Sequence, residues 1–208
     1  MACASYAIAE MKAAHKLLAK YDYELGRVEK GYTNRTLYVD LSQCQIKSKP
    51  VSEEMKEIFI GGRGFGLKLL WDAVKDDTKW DDPENEIIIS TGPLGGTTQY
   101  PGCGKSLVVS ISPLTGAIAD SNVGGYFGPL LKFAGWDALE IQGKAEKDVI
   151  VFIDGNKGIV TIEEAPLEPV NSHILAELLT EMYAESEEDK RNVAVVSSGQ
   201  GAEHSLIG

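Results

Sequence analysis

With 208 residues, 43% hydrophobic and 25% charged, the chain can bury one sizeable core or two small lobes, and its composition excludes disorder. A formal net charge of -11 and a pI near 4.8 argue against a nucleic-acid binder, because phosphate affinity rests on Lys and Arg. Three widely spaced cysteines, Cys3, Cys44 and Cys103, offer neither a disulfide framework nor a self-contained zinc or iron–sulfur site, and a reducing, cytoplasmic compartment follows.

From the N-terminus, the spacing of Ile8, Met11, His15 and Leu18 predicts an amphipathic helix over about Ser5 to Tyr21. Its apolar run is broken by Glu10, Lys12 and Lys16, so neither a membrane span nor a signal-peptide core is expected. The pattern from Leu37 to Ile46, with a Ser-Gln break, predicts a hairpin of two short strands. Ser52 followed by Glu53 and Glu54 is a helix start, since a Ser cap and early acids both suit free amides, and that helix should stop near Gly61. A second helix follows Gly61–Gly66, with an expected apolar face of Leu67, Leu70, Trp71 and Val74.

Ile87 to Ser90 and Leu107 to Ile111 read as buried strands, joined by a loop rich in Gly, Pro and Thr. A helix can start at Pro129, because proline suits a first turn. Val149 to Ile153 and Gly158 to Ile162 flank Asp154-Gly155-Asn156-Lys157, a hairpin turn. Asn171 or Ser172 can cap a helix carrying Ile174, Leu175, Leu178, Leu179 and Met182, and Val193 to Val196 is expected to be a last strand. Hairpins and helices without strict alternation give the α+β class, with mixed sheets and flanking helices. The final residues read as a turn and then the beginning of another strand, as in a fold that is cut, by truncation or by splitting into subunits.

Thirteen of the 22 glycines fall between Gly61 and Gly128. Glycine lets a backbone adopt positive φ and approach a ligand closely, so three clusters in one stretch point to main-chain N–H groups presented to an anion. The first, Gly62-Arg63-Gly64-Phe65-Gly66, opens a helix but lacks the glycine spacing and preceding long strand of a dinucleotide fingerprint. The second, Gly102-Cys103-Gly104-Lys105-Ser106, ends like a phosphate loop. There the first glycine of that motif is replaced by Gln99, and a strand rather than a helix follows Ser106. Lys105 thus stands behind a flexible loop, where it can neutralise an anionic ligand. In the third cluster, Ser121 to Gly128, Asn122 offers an amide and a carbonyl, and Gly124-Gly125 permits close approach.

The blocks Ser112-Pro113-Leu114-Thr115-Gly116, Gly124-Gly125-Tyr126-Phe127-Gly128, Leu131-Lys132-Phe133-Ala134-Gly135-Trp136-Asp137 and Gly143-Lys144-Ala145 resemble, in order and spacing, the N-terminal domain of the tungsten-containing aldehyde:ferredoxin oxidoreductases. The resemblance runs from about Gly31 to the end. It implies a tungstopterin-binding domain over 31–208, and leaves residues 1–30 as an N-terminal helical extension outside it. By resemblance, Lys105 stands where the family places a basic residue, often Arg, between pterin and cluster. Asn122 stands where a main-chain carbonyl meets magnesium, and Gly124 lies in the pterin-contacting turn. Lys keeps the charge but loses the planar fork of Arg.

The implied cofactors are a tungsten-bis-pterin and magnesium, with a 4Fe-4S cluster ligated outside this chain, whose cysteines cannot supply it. The implied reaction is oxidation of aldehydes to carboxylic acids with ferredoxin as acceptor, the chain alone being inactive. The implied partners are the remaining domains or subunit of the oxidoreductase and ferredoxin, in an oligomer, with no nucleic acid and no membrane. A subunit of an aromatic acyl-CoA reductase in the same superfamily, a phosphate-loop-like nucleotide-binding module and a non-catalytic scaffold are the alternatives.

Overall fold

Local signals and long-range pairing together set the architecture seen in the computed structural model, which describes residues 2–166 and 171–205. The elements in chain order are α1 (Ala2–Ala13), β1 (Lys16–Asp22), β2 (Arg35–Asp40), β3 (Gln45–Pro50), α2 (Glu53–Phe59), α3 (Arg63–Ala73), β4 (Glu86–Ser90) and β5 (Ser106–Ile111). They continue as β6 (Ile118–Val123), α4 (Phe127–Phe133), β7 (Ala138–Gln142), β8 (Val149–Asp154), β9 (Ile159–Glu164) and α5 (Ser172–Tyr183), followed by two short 3-10 turns. A six-stranded sheet has the order β3-β2-β7-β4-β5-β6 and a three-stranded sheet the order β1-β9-β8. Only β2 and β7 run parallel; the other pairs are antiparallel. The fold is α+β, as the sequence indicates.

Where the determinants are local, the elements form as expected. The β2–β3 and β8–β9 hairpins pair in register around their turns. Ser52 caps α2 by accepting from the Met55 amide at 3.0 Å, and the helix ends at Ile60, whose φ of 63° turns the chain into Gly61. Asn171, rather than Ser172, caps α5 by accepting from His173 N at 2.8 Å.

Two apolar cores occupy opposite faces of the large sheet. On one, Leu70 of α3 packs with Ile88, Val109, Ile111 and Ala138. On the other, Leu37, Val39, Ile89 and Leu139 meet α4 and the three-stranded sheet through Leu131, Trp136, Val160 and Ile162. Each such fully buried aliphatic side chain stabilises the fold by about 1.5–3 kcal/mol.

Several expectations are corrected. The predicted N-terminal helix stops at Ala13, and Lys16–Asp22 is a strand, because the edge of β9 offers it a ladder and Leu18, Ala19 and Tyr21 a core to cover. Of the face expected on α3, Leu67, Leu70 and Val74 pack against the sheet but Trp71 is 73% exposed; the residues buried most deeply are Phe65, Gly66 and Leu70, since the helix begins at Arg63 and its glycines let it lie close to the sheet. The helix expected at Pro129 starts two residues earlier, at Phe127. Val193 to Val196 joins no ladder and instead walls an apolar cavity beside β8. Two strands that sequence patterning misses, β6 and β7, are present, and β7 lies inside the large sheet. The second strand start expected at the very end falls mostly on residues 206–208, outside the described residues.

Candidate cofactor-binding site

Strand direction brings the three glycine clusters together. β4 ends at Ser90, β5 begins at Ser106, β6 ends at Val123 and β7 begins at Ala138, and their pairings place all four termini at one end of the sheet. The loop 91–105, the turn 124–126 and the start of α3 converge there. Gly62 N donates to Thr91 O at 2.9 Å and Ser90 Oγ donates to Gly62 O at 2.7 Å, tying the first cluster to the end of β4. Gly96 N donates to Cys103 O at 2.9 Å, folding the long loop on itself. A Cβ on Gly104 would lie 2.9 Å from Gly125 O, so the second and third clusters touch through backbone.

Register fixes which side chains share a face. Leu107 is opposite Asn122, and Val109 is opposite Asp120. Lys105 immediately precedes β5 and Gly124 immediately follows β6, whose Ser106 and Val123 are paired, so Lys105, Asn122 and Gly124 lie at the same end of that ladder. The structure therefore brings the three predicted site residues to one rim. Asn122 differs from its expected setting in a glycine turn: it is the penultimate residue of β6, an edge strand of the large sheet among the described residues.

The chemistry of this rim suits an anion. Lys105 is exposed and has no ion-pair partner among the described residues. Arg63, the first residue of α3, is a second cation that sequence reasoning passed over; its Nε and Nη2 donate to Asp120 Oδ2 at 3.0 and 2.8 Å. Its position inside the first glycine cluster was the available signal. Cβ atoms added at Gly102, Gly124 or Gly125 would meet nothing within 4 Å, and Gly102 and Gly125 have φ of 82° and 81°. Open space above a glycine backbone lets a bulky ligand approach main-chain groups directly. Among the described residues no three His, Cys, Asp or Glu side chains converge as a metal site, so the donors here are main-chain groups, one amide and cations.

Two cavities lie elsewhere. One of about 580 Å³ has largely aliphatic walls, including Leu130, Val151, Leu179 and Val195. The other, of about 600 Å³, contains the buried carboxylates Glu86 and Glu140 beneath α2 and α3. The phosphate-loop reading of Gly104-Lys105-Ser106 fails structurally, because β5 rather than a helix N-terminus follows the lysine. No helix among the described residues is long and apolar enough to cross a membrane.

Similarity to known proteins agrees with this geometry. The family model for the aldehyde ferredoxin oxidoreductase N-terminal domain matches residues 36–207. The tungsten-containing aldehyde ferredoxin oxidoreductase of Pyrococcus horikoshii is 38% identical over 176 residues, which is 85% of this chain and 28% of that protein. The WOR-like subunit of the aliphatic sulfonate oxidoreductase of Pyrococcus furiosus is 39% identical over 127 residues, 59% of this chain and 20% of that one. Among solved structures, the active site complex BamBC of benzoyl coenzyme A reductase, in complex with 1,5-dienoyl-CoA, superposes with a TM-score of 0.69 at 33% identity, covering 73% of this chain and 23% of its counterpart. These relatives are oxidoreductases, and this chain spans under a third of the length of each. With a family match across most of its residues, the chain belongs to the aldehyde ferredoxin oxidoreductase N-terminal domain family.

Proposed function

We propose that this chain is the pterin-cofactor-binding portion of a tungsten or molybdenum oxidoreductase that oxidises aldehydes to carboxylic acids and passes the electrons to ferredoxin. The observation that carries the reading is the convergence of three glycine clusters at one sheet end beside the unpaired Lys105. Such a rim fits a large, flat, polyanionic organic cofactor better than a bare metal ion, because it offers backbone and cations instead of a ligand cage.

In this reading Lys105 would balance negative charge on the cofactor, Gly124 and Gly125 would leave room for it beside the main chain, and the carbonyl of Asn122 would hold the magnesium ion. When bound, the tungstopterin supplies the two-electron redox chemistry at its metal. The chain's own part is to bind and orient. The 4Fe-4S cluster and the acid/base groups belong to the remaining domains or subunit, and so does the docking of ferredoxin. A second reading, a subunit of an aromatic acyl-CoA reductase, is favoured by the likeness to the benzoyl coenzyme A reductase complex; it shares the cofactor rim and differs in substrate.

The test is co-expression with the remaining oxidoreductase polypeptide in a tungsten-supplied host, followed by metal and pterin analysis of the purified complex. Stoichiometric pterin with tungsten or molybdenum is expected. Lys105→Ala should lower occupancy by about 10-fold, the equivalent of one charge-assisted contact, and Lys105→Arg should restore it. A folded complex devoid of pterin would end the proposal, and aldehyde-dependent against thioester-dependent electron transfer separates the two readings.

A further inference from the structure

The polar cavity beneath α2 and α3 shares no lining residue with the glycine rim, and its Glu86 stands at the other end of β4 from Ser90. Glu86 of β4 is 2% exposed and Glu140 of β7 is 1% exposed, and the β4–β7 register sets them on one face in neighbouring positions, Glu86 opposite Gln142 and Ile88 opposite Glu140. Glu140 is satisfied: its Oε1 accepts from Thr36 Oγ1 and its Oε2 meets Lys49 Nζ at 2.6 Å. Glu86 is not, because its Oε2 is buried and has no partner. Glu86 lines an open cavity of about 600 Å³ that also receives Tyr38 from β2, Lys47 and Lys49 from β3, Lys68 and Asp72 from α3, Glu140 and Gln142 from β7, and Ser52 at the start of α2. Lys68 is engaged by Asp72, and Lys49 bonds to Glu140 alone of the two carboxylates.

Lys49 answers Glu140, and Lys47, the third lysine of the lining, is exposed to solvent; ionised Glu86 would therefore carry its charge on a buried oxygen that no ammonium among the described residues contacts. Burying such a charge is costly without a counter-charge. We infer that this cavity is a binding site for one small monovalent cation of the alkali-metal or ammonium class, held by the free carboxylate oxygen of Glu86 and completed by neighbouring oxygens and water. Binding exchanges the cation for the carboxyl proton of Glu86, which goes to solvent, so no charge accumulates. Burial and the neighbouring Glu140 hold the Glu86 carboxyl up at about 7, which places this exchange near neutrality. A divalent ion would leave the site with an excess positive charge, so it is disfavoured while Lys49 is present. The inference is independent of the cofactor reading.

The full chain is melted at about pH 8, above the titration of Glu86, in sodium, potassium, ammonium, magnesium or tetramethylammonium chloride at equal ionic strength. At least one small monovalent ion should raise the melting temperature by several degrees over tetramethylammonium, and saturably. Below neutrality the apparent affinity should weaken about 10-fold per pH unit, the signature of one displaced proton. Glu86→Gln should match the parent's melting temperature in acid and lose the cation response. Identical melting in all five salts overturns the site, since water alone would then satisfy Glu86. A response retained in Glu86→Gln overturns it equally, and a magnesium response larger than the monovalent ones overturns the single-charge assignment.

Discussion

Asp137 stands immediately before β7, fully buried, and its carboxylate accepts from Thr33 N at 3.1 Å and Asn34 N at 2.9 Å while pairing with Lys132. Lys132 in turn donates to Gly31 O at 3.0 Å, and Gly31 is in such close backbone contact with Pro93 that no Cβ fits between them. One buried ion pair thus holds the entry to β2, the end of α4 and the base of the loop 91–105 together. Removing either member leaves an uncompensated buried charge, so Lys132→Met or Asp137→Asn should cost about 3–5 kcal/mol in denaturant unfolding. The double variant should recover part of that loss. A cost below about 1 kcal/mol would mean the pair behaves like a surface bridge. Glu86 makes a pH-dependent prediction. Burial first and Glu140 second raise its carboxyl from 4.5 to about 7, against the opposing pull of Lys49. The folded chain therefore holds this proton more tightly than the unfolded one. Stability from this group is complete below about 4.5, declines as pH rises toward 7, and levels off above. In tetramethylammonium buffer the decline should amount to about 3 kcal/mol, and it should vanish in Glu86→Gln; a flat profile in the parent would contradict it.

Elements built from neighbouring residues were legible, and those built from distant partners were not. Ser52 caps α2 through Met55 N, so Ser52→Ala should lower stability by about 1 kcal/mol, measured by urea unfolding. The β2–β3 and β8–β9 hairpins were readable because a turn and its two flanking strands are contiguous in the chain, over Arg35–Pro50 and Val149–Glu164. By contrast, β6 reads Ile-Ala-Asp-Ser-Asn-Val and is exposed along most of its length, which removes the alternation a half-buried strand displays. β7 hid for the opposite reason: it is internal, yet one of its buried positions is Glu140, whose partners Thr36 and Lys49 come from β2 and β3. On α3 the expected Leu67, Leu70 and Val74 do pack against the sheet, but Trp71 was misjudged, because helical periodicity favoured it whereas the helix approaches the sheet through Gly66. A Cβ at Gly66 would lie 2.4 Å from Val109 Cγ2. Gly66→Ala should therefore push α3 off the sheet at a cost of about 1–3 kcal/mol, displacing Arg63 at the rim as well.

At the scale of the molecule, the three glycine clusters were legible one by one, but their convergence depends on the order of β4, β5 and β6, which no local pattern encodes. The N-terminal segment carries the same lesson into energetics. β1 pairs along β9 from Lys16 to Asp22, and three side chains lock it further. His15 Nδ1 lies 3.1 Å from Glu163 Oε2, Tyr183 OH donates to the same oxygen at 2.7 Å, and Lys12 Nζ donates to Met182 O at 2.8 Å. Without β1, β8 and β9 would remain as a two-stranded hairpin, an arrangement with marginal stability by itself, and Val160 and Ile162 would lose their cover from Leu18, Ala19 and Tyr21. Deleting residues 1–22 should therefore collapse hydrogen-exchange protection across 149–164 while the amides of β4, β5 and β7 keep most of theirs. Protection unchanged in β9 would make the segment an appendage. Tyr183→Phe, which removes one bond to Glu163 and leaves the ladder intact, should weaken protection in β9 only modestly, and that contrast distinguishes loss of the strand from loss of its lock.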